Sequence, residues 1–512
     1  MLFNSYEFLL LLPVALAVFA ILRRFGATAP VIWLAVASLV FYGRWHPQYL
    51  LLLLTSIGFN YGIGLWLSKP LEAITRRRIM VLAVTANLGL LGYYKYAAFV
   101  LISLNTVAGF DLPVPAIILP LAISFFTFQQ IAYVVDTWRS GHGEKSFVRF
   151  LLYVTFFPHL IAGPLVHHAE MIPQFYRVGQ SAVTRYDMAM GITMFVIGLS
   201  KKVLLADNVA RYASTGFDAV AAGSILSLWE AWGSALAYTC QIYFDFSGYS
   251  DMAVGLGLLF GIRLPVNFLS PYKATNIIDF WRRWHITLSR FLRDYLYIAL
   301  GGNRFGPVRR YANLMATMLL GGLWHGAGWT FVIWGGLHGL YLVINHGWRA
   351  ITGGRQFGRS WSLLAWLLTF LAVVIAWVFF RAVNLDAALS VLRSMFGLNG
   401  VPLPLSLQPV LMRFGIDPAM LGIAFTGISP NGVFGSPVTA VSWIGGLILL
   451  AVLAPNSVEI LNYRMDASAP QTLKSGLLQW RNSLFWAAAT GCLFGICLIS
   501  LRRVSEFIYF NF

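Results

Sequence analysis

The chain has 512 residues, of which 58% are hydrophobic and only 11% are charged, and its mean hydropathy is +0.72. Because a soluble domain carries about 25% charged residues, this composition excludes a soluble globular protein and indicates a polytopic membrane protein. The 36 Lys and Arg outnumber the 19 Asp and Glu. These basic residues cluster at the ends of apolar runs, a pattern typical of the positive-inside rule and not of nucleic-acid binding.

Apolar runs long enough to cross ~30 Å of hydrocarbon recur along the chain. In chain order the predicted spans are 7–22, 30–43, 48–67, 79–104, 115–136, 187–206, 225–244, 248–262, 328–346, 361–380, 438–455 and 483–501. Shorter apolar pieces at 150–166, 312–325 and 410–427 are candidates for re-entrant segments, which require cover by protein or a water-filled cavity. No repeats or long linkers separate these elements. The sequence therefore predicts one all-α membrane domain over residues 1–512.

Basic residues alternate between the two sides of the first five spans. Arg23 and Arg24 follow the first span, and Arg76–Arg78 follow the third, whereas the connection 105–116 contains no Lys or Arg. This alternation places the basic loops in the cytoplasm and the N-terminus on the outer side. The first span lacks a basic n-region and a cleavage site, so we expect it to remain as an anchor.

The segment 279–298 concentrates arginines in an otherwise apolar chain. On a helical wheel over 282–296, Arg282, Arg283, Arg290 and Arg293 fall in one sector, opposite Trp281, Trp284 and His285. Such a helix would lie along the cytoplasmic interface, with its arginines toward lipid headgroups or an anionic ligand. The alternative is a simple interfacial anchor whose histidine is packed.

A glycine- and tryptophan-rich apolar stretch at 319–339 contains His325 and His338. An ionisable side chain at membrane depth is costly and usually faces a cavity with a function. We expect this of His325, which stands in the middle of the stretch, and a structural role for His338.

Two further regions contain polar groups in apolar surroundings. Asp245 and Asp251 lie within 241–255, where buried carboxylates require partners. They would either support a nearby site or tie helices together. His167, His168 and Glu170 could suggest a metal, but adjacent histidines project in different directions, so no metal site is expected. The three cysteines lack metal-ligand spacing and are predicted to be packing residues.

These residues lie within motifs that resemble the membrane-bound O-acyltransferase (MBOAT) family, and within it the alginate O-acetyltransferases and related bacterial exopolysaccharide acetylases. The resemblance runs almost from end to end. It is carried by "NLGLLGYYKYAAF", "LPLAISFFTFQQIAYVVDTWR", "LIAGPLVHHAEMIPQF", "GLSKKVLLADNVA", "YFDFSGYSDMA", "DFWRRWHITLSRFLRDYLYIALGGNR", "LLGGLWHGAGWTFVIWGGLHG" and "VFFRAVNLDAALSVLRSMFG". Most of these motifs lie in a core of about 119–346.

The resemblance implies a fold and a set of site residues. The family fold is a ring of about 11–13 transmembrane helices plus re-entrant segments around a central tunnel. By position, His325 matches the catalytic histidine and His285 matches a second polar catalytic position. Donor-binding or tunnel-lining roles follow for Trp281, Arg282, Trp284, Arg290, Arg293 and Trp324, and structural polar support for Asp245 and Asp251.

The resemblance also implies a function. An enzyme of the bacterial inner membrane would take acetyl groups from a cytoplasmic thioester, acetyl-CoA, with no bound cofactor. A periplasmic partner of the SGNH-hydrolase type, or a polysaccharide-modification complex, would then acetylate an exopolysaccharide such as alginate. One alternative is a D-alanyl or other acyl transferase acting on a cell-wall polymer. The other is a polytopic transporter, although no paired broken helices recur in two matching halves.

Overall fold

A computed structural model describes residues 2–501 and 508, apart from 45–46, 181–182, 354, 356–357, 404–406, 415–422, 426, 428 and 466–477. Almost all of its regular structure is helical. The helices in the first half are α1 (Tyr6–Leu22), α2 (Thr28–Gly43), α3 (Gln48–Leu67), α4 (Ala73–Leu91), α5 (Ala97–Ala108), α6 (Ile123–Ser140), α7 (Phe147–Thr155), α8 (Phe157–Leu160), α9 (His168–Arg177), α10 (Arg185–Ser200), α11 (Asp207–Ala221) and α12 (Leu228–Leu259).

The second half continues in the same style. Its helices are α13 (Ile277–Arg283), α14 (Ile286–Phe291), α15 (Gly306–His325), α16 (Trp329–Ile351), α17 (Arg359–Arg381), α18 (Leu385–Met395), α19 (Gln408–Arg413), α20 (Pro437–Leu453), α21 (Ser457–Leu461) and α22 (Leu484–Ser500). Two short strands, β1 (Val401–Pro402) and β2 (Ile423–Ala424), pair in parallel. Single turns of π-helix occupy Gly92–Tyr96, Lys201–Ala206 and Leu292–Tyr297, and 3₁₀ turns occupy Arg23–Phe25 and Pro271–Lys273.

The chain forms two compact units. The first contains the described residues of Met1–Ser200, Ser247–Asn267 and Ser457–Asn511, and the second contains those of Lys201–Phe246 and Phe268–Asn456. Helix α12 runs from the second unit into the first without interruption. The single domain expected from the sequence therefore stays a prediction.

Four described helices are long and apolar enough to cross a membrane: Tyr6–Phe25, Gln48–Leu67, Arg185–Ala221 and Arg359–Arg381. Three apolar helices are shorter: α2, α20 and α22. Together with the nearly complete helicity, they confirm the predicted all-α polytopic class. The number of spans and the arrangement around a tunnel stay predictions.

Two of the predicted span boundaries differ from the structure. The segments 225–244 and 248–262 were expected as two spans, but they form one helix of 32 residues, α12, because the glycines at 248, 255 and 257 continue the helix. The span expected from residue 115 begins as α6 only at Ile123, after Pro120 and an Ala122 in the left-handed conformation. Half of the candidate re-entrant segment 410–427 lies outside the described residues.

In the first unit, α1 and α22 run antiparallel, since the Tyr6 hydroxyl near the start of α1 donates to the Leu498 carbonyl near the end of α22, at 3.0 Å. Helix α10 runs beside α22 in the same direction, since the Tyr186 ring near the start of α10 contacts the Trp480 ring just before α22, at 5.3 Å, and the hydroxyls of Thr193 and Thr490 are 3.4 Å apart.

The cysteines show the expected packing for Cys240 and Cys497, which are buried, whereas Cys492 on α22 is exposed.

In the second unit, α15 and α16 form a closely packed hairpin. Gly322 of α15 and Gly335 of α16 face one another, and a Cβ on Gly335 would overlap the Met318 carbonyl oxygen. Only glycine permits this approach. The glycines that weaken the helical pattern of 319–339 in the sequence thus allow two helix backbones to touch.

Candidate active site

The predicted helix over 282–296 is broken in the structure. Helix α13 ends at Arg283, with the Trp284 N–H donating to the Phe280 carbonyl at 2.8 Å, and α14 begins with the Ser289 N–H donating to the His285 carbonyl at 3.0 Å. Between them His285 adopts the left-handed conformation, with φ 42° and ψ 52°. The prediction of a continuous helix was therefore wrong. A helical wheel shows which side chains share a face, but it cannot show that one residue has a positive φ.

The left-handed turn directs the His285 side chain into the protein. Histidine is among the few non-glycine residues enriched at positive φ, and a buried residue held there is a recognised signature of functional sites. Arg283, just before the turn, is held through its backbone and its side chain. Its carbonyl accepts from the Leu269 N–H at 3.0 Å, and its guanidinium donates to the Asp279 carboxylate at 2.9 Å. His285 is therefore positioned by a fixed turn and not by a helix face.

His325 is the last residue of α15, at the tip of the glycine-rich hairpin. The backbone becomes extended at Gly326, whose N–H donates to the Gly322 carbonyl, and α16 begins at Trp329. His325 is 3% exposed and His285 is fully buried. Both histidines thus lie at helix ends inside the second unit, not along helix faces.

The two histidines lie close together. Their ring centroids are 6.3 Å apart, and the Trp324 ring lies 6.1 Å from His285 and 4.9 Å from His325. This separation is too long for a direct bond between the imidazoles, but it would allow a carbonyl or hydroxyl group to contact both. Complete burial lowers the pKa of His285 from 6.5 to about 3, so its ring is neutral at physiological pH.

Aromatic rings that the sequence did not single out enclose this pair. Phe246 of α12 packs edge-on against His285 at 4.7 Å, while Trp334 of α16 and Phe380 of α17 pack against His325 at 5.1 and 5.2 Å. An apolar enclosure excludes water and strengthens polar interactions inside it. The signal for these residues was present, since Phe246, Trp334 and Phe380 each lie inside a motif quoted above.

His338 lies deeper in the same aromatic cluster, with ring centroids 4.7 Å from Trp334, 5.2 Å from Trp281 and 6.0 Å from Phe280. Neither of its ring nitrogens has a hydrogen-bond partner among the described residues. Its ring is surrounded by aromatic rings. The expected structural role fits this position and stays a prediction.

The remaining residues predicted to bind the donor separate into two groups. Trp281 and Trp284 are buried with the histidines, and Trp284 packs on Trp377 at 4.9 Å. Arg282 and Arg293 are exposed, and Arg290 is half-buried. Arg293 bonds the adjacent Asp294 through two contacts of 2.7 and 3.1 Å. The tryptophans are therefore buried within the second unit, whereas Arg282 and Arg293 lie at its surface.

Asp245 has a partner that sequence reasoning missed. Its carboxylate lies 2.7 Å from the Lys202 ammonium, which also lies 2.9 Å from Asp207. Lys202 and Asp245 are almost completely buried, and the next residue after Asp245 is Phe246, which contacts His285. The ion pair thus joins the "GLSKK" and "YFDFSGYS" motifs beside the site. Asp251 is also buried, but it belongs to the first unit.

The described residues contain no group of three or more His, Cys, Asp or Glu side chains that could hold a metal ion. His167, His168 and Glu170 were considered as metal ligands from the sequence. In the structure His167 and Glu170 form a reciprocal cap at the start of α9. His285 and His325 bring two imidazoles together among aromatic rings, which suits proton transfer and hydrogen bonding to a reacting oxygen.

Comparison with known proteins identifies the chain. The sequence profile of the membrane-bound O-acyltransferase family matches residues 141–386, which include both histidines. A peptidoglycan O-acetyltransferase of Helicobacter pylori is 46% identical over 431 residues, covering 79% of this chain and 81% of that protein. The chain belongs to the MBOAT family.

Other relatives of this MBOAT enzyme differ in their named substrates. The probable alginate O-acetylase AlgI of Pseudomonas aeruginosa is 44% identical over 403 residues, covering 77% of this chain and 75% of that protein. A teichoic acid D-alanyltransferase of Streptococcus thermophilus is 27% identical over 237 residues, covering 44% of this chain and 57% of that protein. The predicted family and enzyme class are confirmed: the chain is a multi-pass membrane O-acyltransferase.

Proposed function

We propose that this MBOAT enzyme is an O-acetyltransferase that takes acetyl groups from acetyl-CoA on the cytoplasmic side of the bacterial inner membrane and passes them across for O-acetylation of a glycan. The observation that carries the proposal is the pairing of His285 and His325, 6.3 Å apart, inside one aromatic enclosure. Two acetyltransferase relatives that share more than 40% identity support the acetyl group as the one transferred.

In the proposed reaction His325 is the general base. Its ring accepts the proton of the acceptor hydroxyl as the oxygen bonds to the thioester carbonyl carbon, and the carbon–sulfur bond then breaks. The proton leaves with the thiol of coenzyme A. A neutral imidazole suits this task, because burial disfavours the charged form. A positioned base contributes about 10²–10⁴-fold in rate.

His285 is proposed to hydrogen-bond the thioester carbonyl as negative charge develops on its oxygen. A neutral imidazole has one N–H to donate, and the fixed left-handed turn holds that donor in place before the reaction. Phe246, Trp334 and Phe380 keep water away, so that hydrolysis does not compete with transfer.

The arginines near the site are proposed to bind the phosphates of coenzyme A. Arg282 is exposed on α13, before His285, and Arg293 is exposed on the π-helical turn Leu292–Tyr297, after it. Arg290 is half-buried one helical turn beyond His285. A guanidinium is well suited to phosphate recognition. An Arg290→Ala variant with a raised KM for acetyl-CoA and normal membrane insertion would support this role over headgroup binding.

The acceptor is proposed to be reached through a periplasmic acetyltransferase of the SGNH type or a polysaccharide-modification complex, with the N-terminus of the chain also in the periplasm. The named substrates of the relatives include both alginate and peptidoglycan, so the glycan is either an exopolysaccharide such as alginate or a wall polymer. Deleting the gene and measuring which glycan loses acetyl groups identifies the acceptor.

The central test uses membranes containing the full chain and labelled acetyl-CoA. His325→Ala should lower acetyl transfer by about 10²–10⁴-fold, and His285→Ala should also lower it strongly, with both variants inserted normally. His142→Ala is the matched control, since His142 is exposed and belongs to the first unit. Full acetyl transfer by His325→Ala would refute the assignment. Label that crosses the membrane without covalent transfer would indicate a transporter, and transfer of D-alanine in place of acetyl would indicate the other branch of the family.

A further inference from the structure

An open groove in the first unit has no role in the proposed reaction. It lies between α1, α10 and α22 and has a volume of about 470 Å³, within the range of about 300–1,000 Å³ usual for ligand pockets. Leu12 and Leu16 of α1, Ile192 and Val196 of α10, and Phe494 of α22 line it. Its walls are therefore aliphatic and aromatic along most of its length.

The groove exists because small residues line one of its walls. Ala487 and Gly491 lie one turn apart on α22, and a Cβ on Gly491 would meet no atom within 4 Å. A larger side chain there would occupy the groove without moving a backbone. The residues that line it run from Leu9 to Leu16 along α1 and from Trp486 to Phe494 along α22, so the groove follows the two helices for about two turns.

One end of the groove is polar and positively charged. Arg481, Asn482 and Ser483 line it immediately before α22, next to Trp480 and Trp486. Among the described residues no carboxylate forms an ion pair with Arg481, and its side chain is exposed. Tryptophans beside a basic residue are typical of the membrane–water interface.

The helix directions identify the side of the membrane to which this polar end belongs. Because α22 is antiparallel to α1, the start of α22 lies beside the end of α1, where Arg23 and Arg24 follow the span. Under the positive-inside rule this is the cytoplasmic face, where the leaflet contains anionic lipids.

We propose that this groove binds one acyl chain of an anionic phospholipid, with Arg481 contacting the phosphate. The apolar walls accept the hydrocarbon chain, the tryptophans lie at the level of the glycerol backbone, and the arginine matches the headgroup charge. The proposal is independent of the acetyl-transfer chemistry, since the groove and the histidines belong to different units.

The test measures lipid bound to the purified full chain by native mass spectrometry, after delipidation and addition of phosphatidylglycerol or phosphatidylcholine with the same acyl chains. Wild type should prefer phosphatidylglycerol. Gly491→Leu should weaken binding of both lipids by about tenfold, because its side chain displaces methylenes from the groove. Gly495→Leu is the matched control, since Gly495 also faces open space on α22 but does not line the groove.

The charge is tested separately. Arg481→Gln should weaken phosphatidylglycerol binding about fivefold, the loss expected for one basic residue at an anionic surface, and leave phosphatidylcholine binding unchanged. Arg359→Gln, an exposed arginine at the start of α17, is the control. Equal binding of the two lipids by wild type, or unchanged lipid binding in Gly491→Leu, would overturn the proposal. So would a change in oligomeric state in Gly491→Leu with no loss of lipid, which would assign the groove to a second copy of the chain.

Discussion

Replacing Lys202 with methionine tests whether the buried ion pair fixes the wall of the active site. Lys202 lies 2.7 Å from Asp245 and 2.9 Å from Asp207, and its side chain is only 5% exposed. Without the ammonium, the Asp245 carboxylate, which is 1% exposed, would lose the cation that lies 2.7 Å from it. Removing one partner of a buried ion pair lowers the free energy of unfolding by about 3–5 kcal/mol. We expect a decrease of this size in Lys202→Met.

Variants of Asp245 and Asp207 should lose less stability than Lys202→Met, in a definite order. Asp245→Asn leaves Lys202 paired with Asp207, and Asp207→Asn leaves the more buried pair intact, since Asp207 is 21% exposed. The expected order of destabilisation is therefore Lys202→Met, then Asp245→Asn, then Asp207→Asn. The double variant Lys202→Met with Asp245→Leu should recover much of the stability, because an apolar pair of similar volume often replaces a buried ion pair without loss.

The assay is thermal unfolding of the purified full chain in detergent, followed by size-exclusion chromatography, together with acetyl transfer by the stable variants. Because Phe246 follows Asp245 and contacts His285, activity should fall with stability in the single variants and return in the double variant. A Lys202→Met protein as stable as wild type, or a double variant less stable than Lys202→Met, would refute the reasoning.

Two further predictions concern the histidines. Because burial lowers the pKa of His285 to about 3, the unfolded chain binds a proton below pH 6.5 that the folded chain excludes. Stability should therefore fall as the pH drops, by about 3 kcal/mol at pH 4, and His285→Gln should lose less between pH 7 and pH 4 in thermal unfolding; equal losses would contradict this. Gly335→Ala should push α16 away from the Met318 carbonyl and lower acetyl transfer by displacing His325. Gly336→Ala is the control and should leave acetyl transfer unchanged, because a Cβ there meets only Leu319, at 3.5 Å. Equal acetyl transfer by the two variants would contradict this prediction.

Composition and periodicity predicted the class of the protein but not the placement of its site. The wheel over 282–296 separated buried from exposed side chains correctly for Trp281, Trp284, His285 and Arg282. It failed at the turn, since a single left-handed residue leaves the hydrophobic pattern unchanged but ends one helix and begins another. The glycine-rich stretch around His325 was recognised as unusual, yet its role as the tip of a hairpin depends on a partner helix.

Long-range partners were the other information that the sequence lacked. Asp245 was expected to need a partner, but that partner, Lys202, lies 43 positions earlier in another motif. Likewise, Phe380 packs on His325 from α17, and no local pattern joins them. Hydrophobic periodicity describes one helix at a time, whereas the residues of this site lie on or next to five helices, α12, α14, α15, α16 and α17.

The exposed thiol on α22 makes the wild-type protein its own reporter. Of the chain's three cysteines, all in the described part, Cys240 and Cys497 are buried and only Cys492 is exposed. It is the neighbour of Gly491, which lines the groove. A maleimide carrying a fluorophore or a spin label should therefore attach at one position of the wild-type protein. Its signal would report in real time whether a lipid acyl chain occupies the adjacent groove.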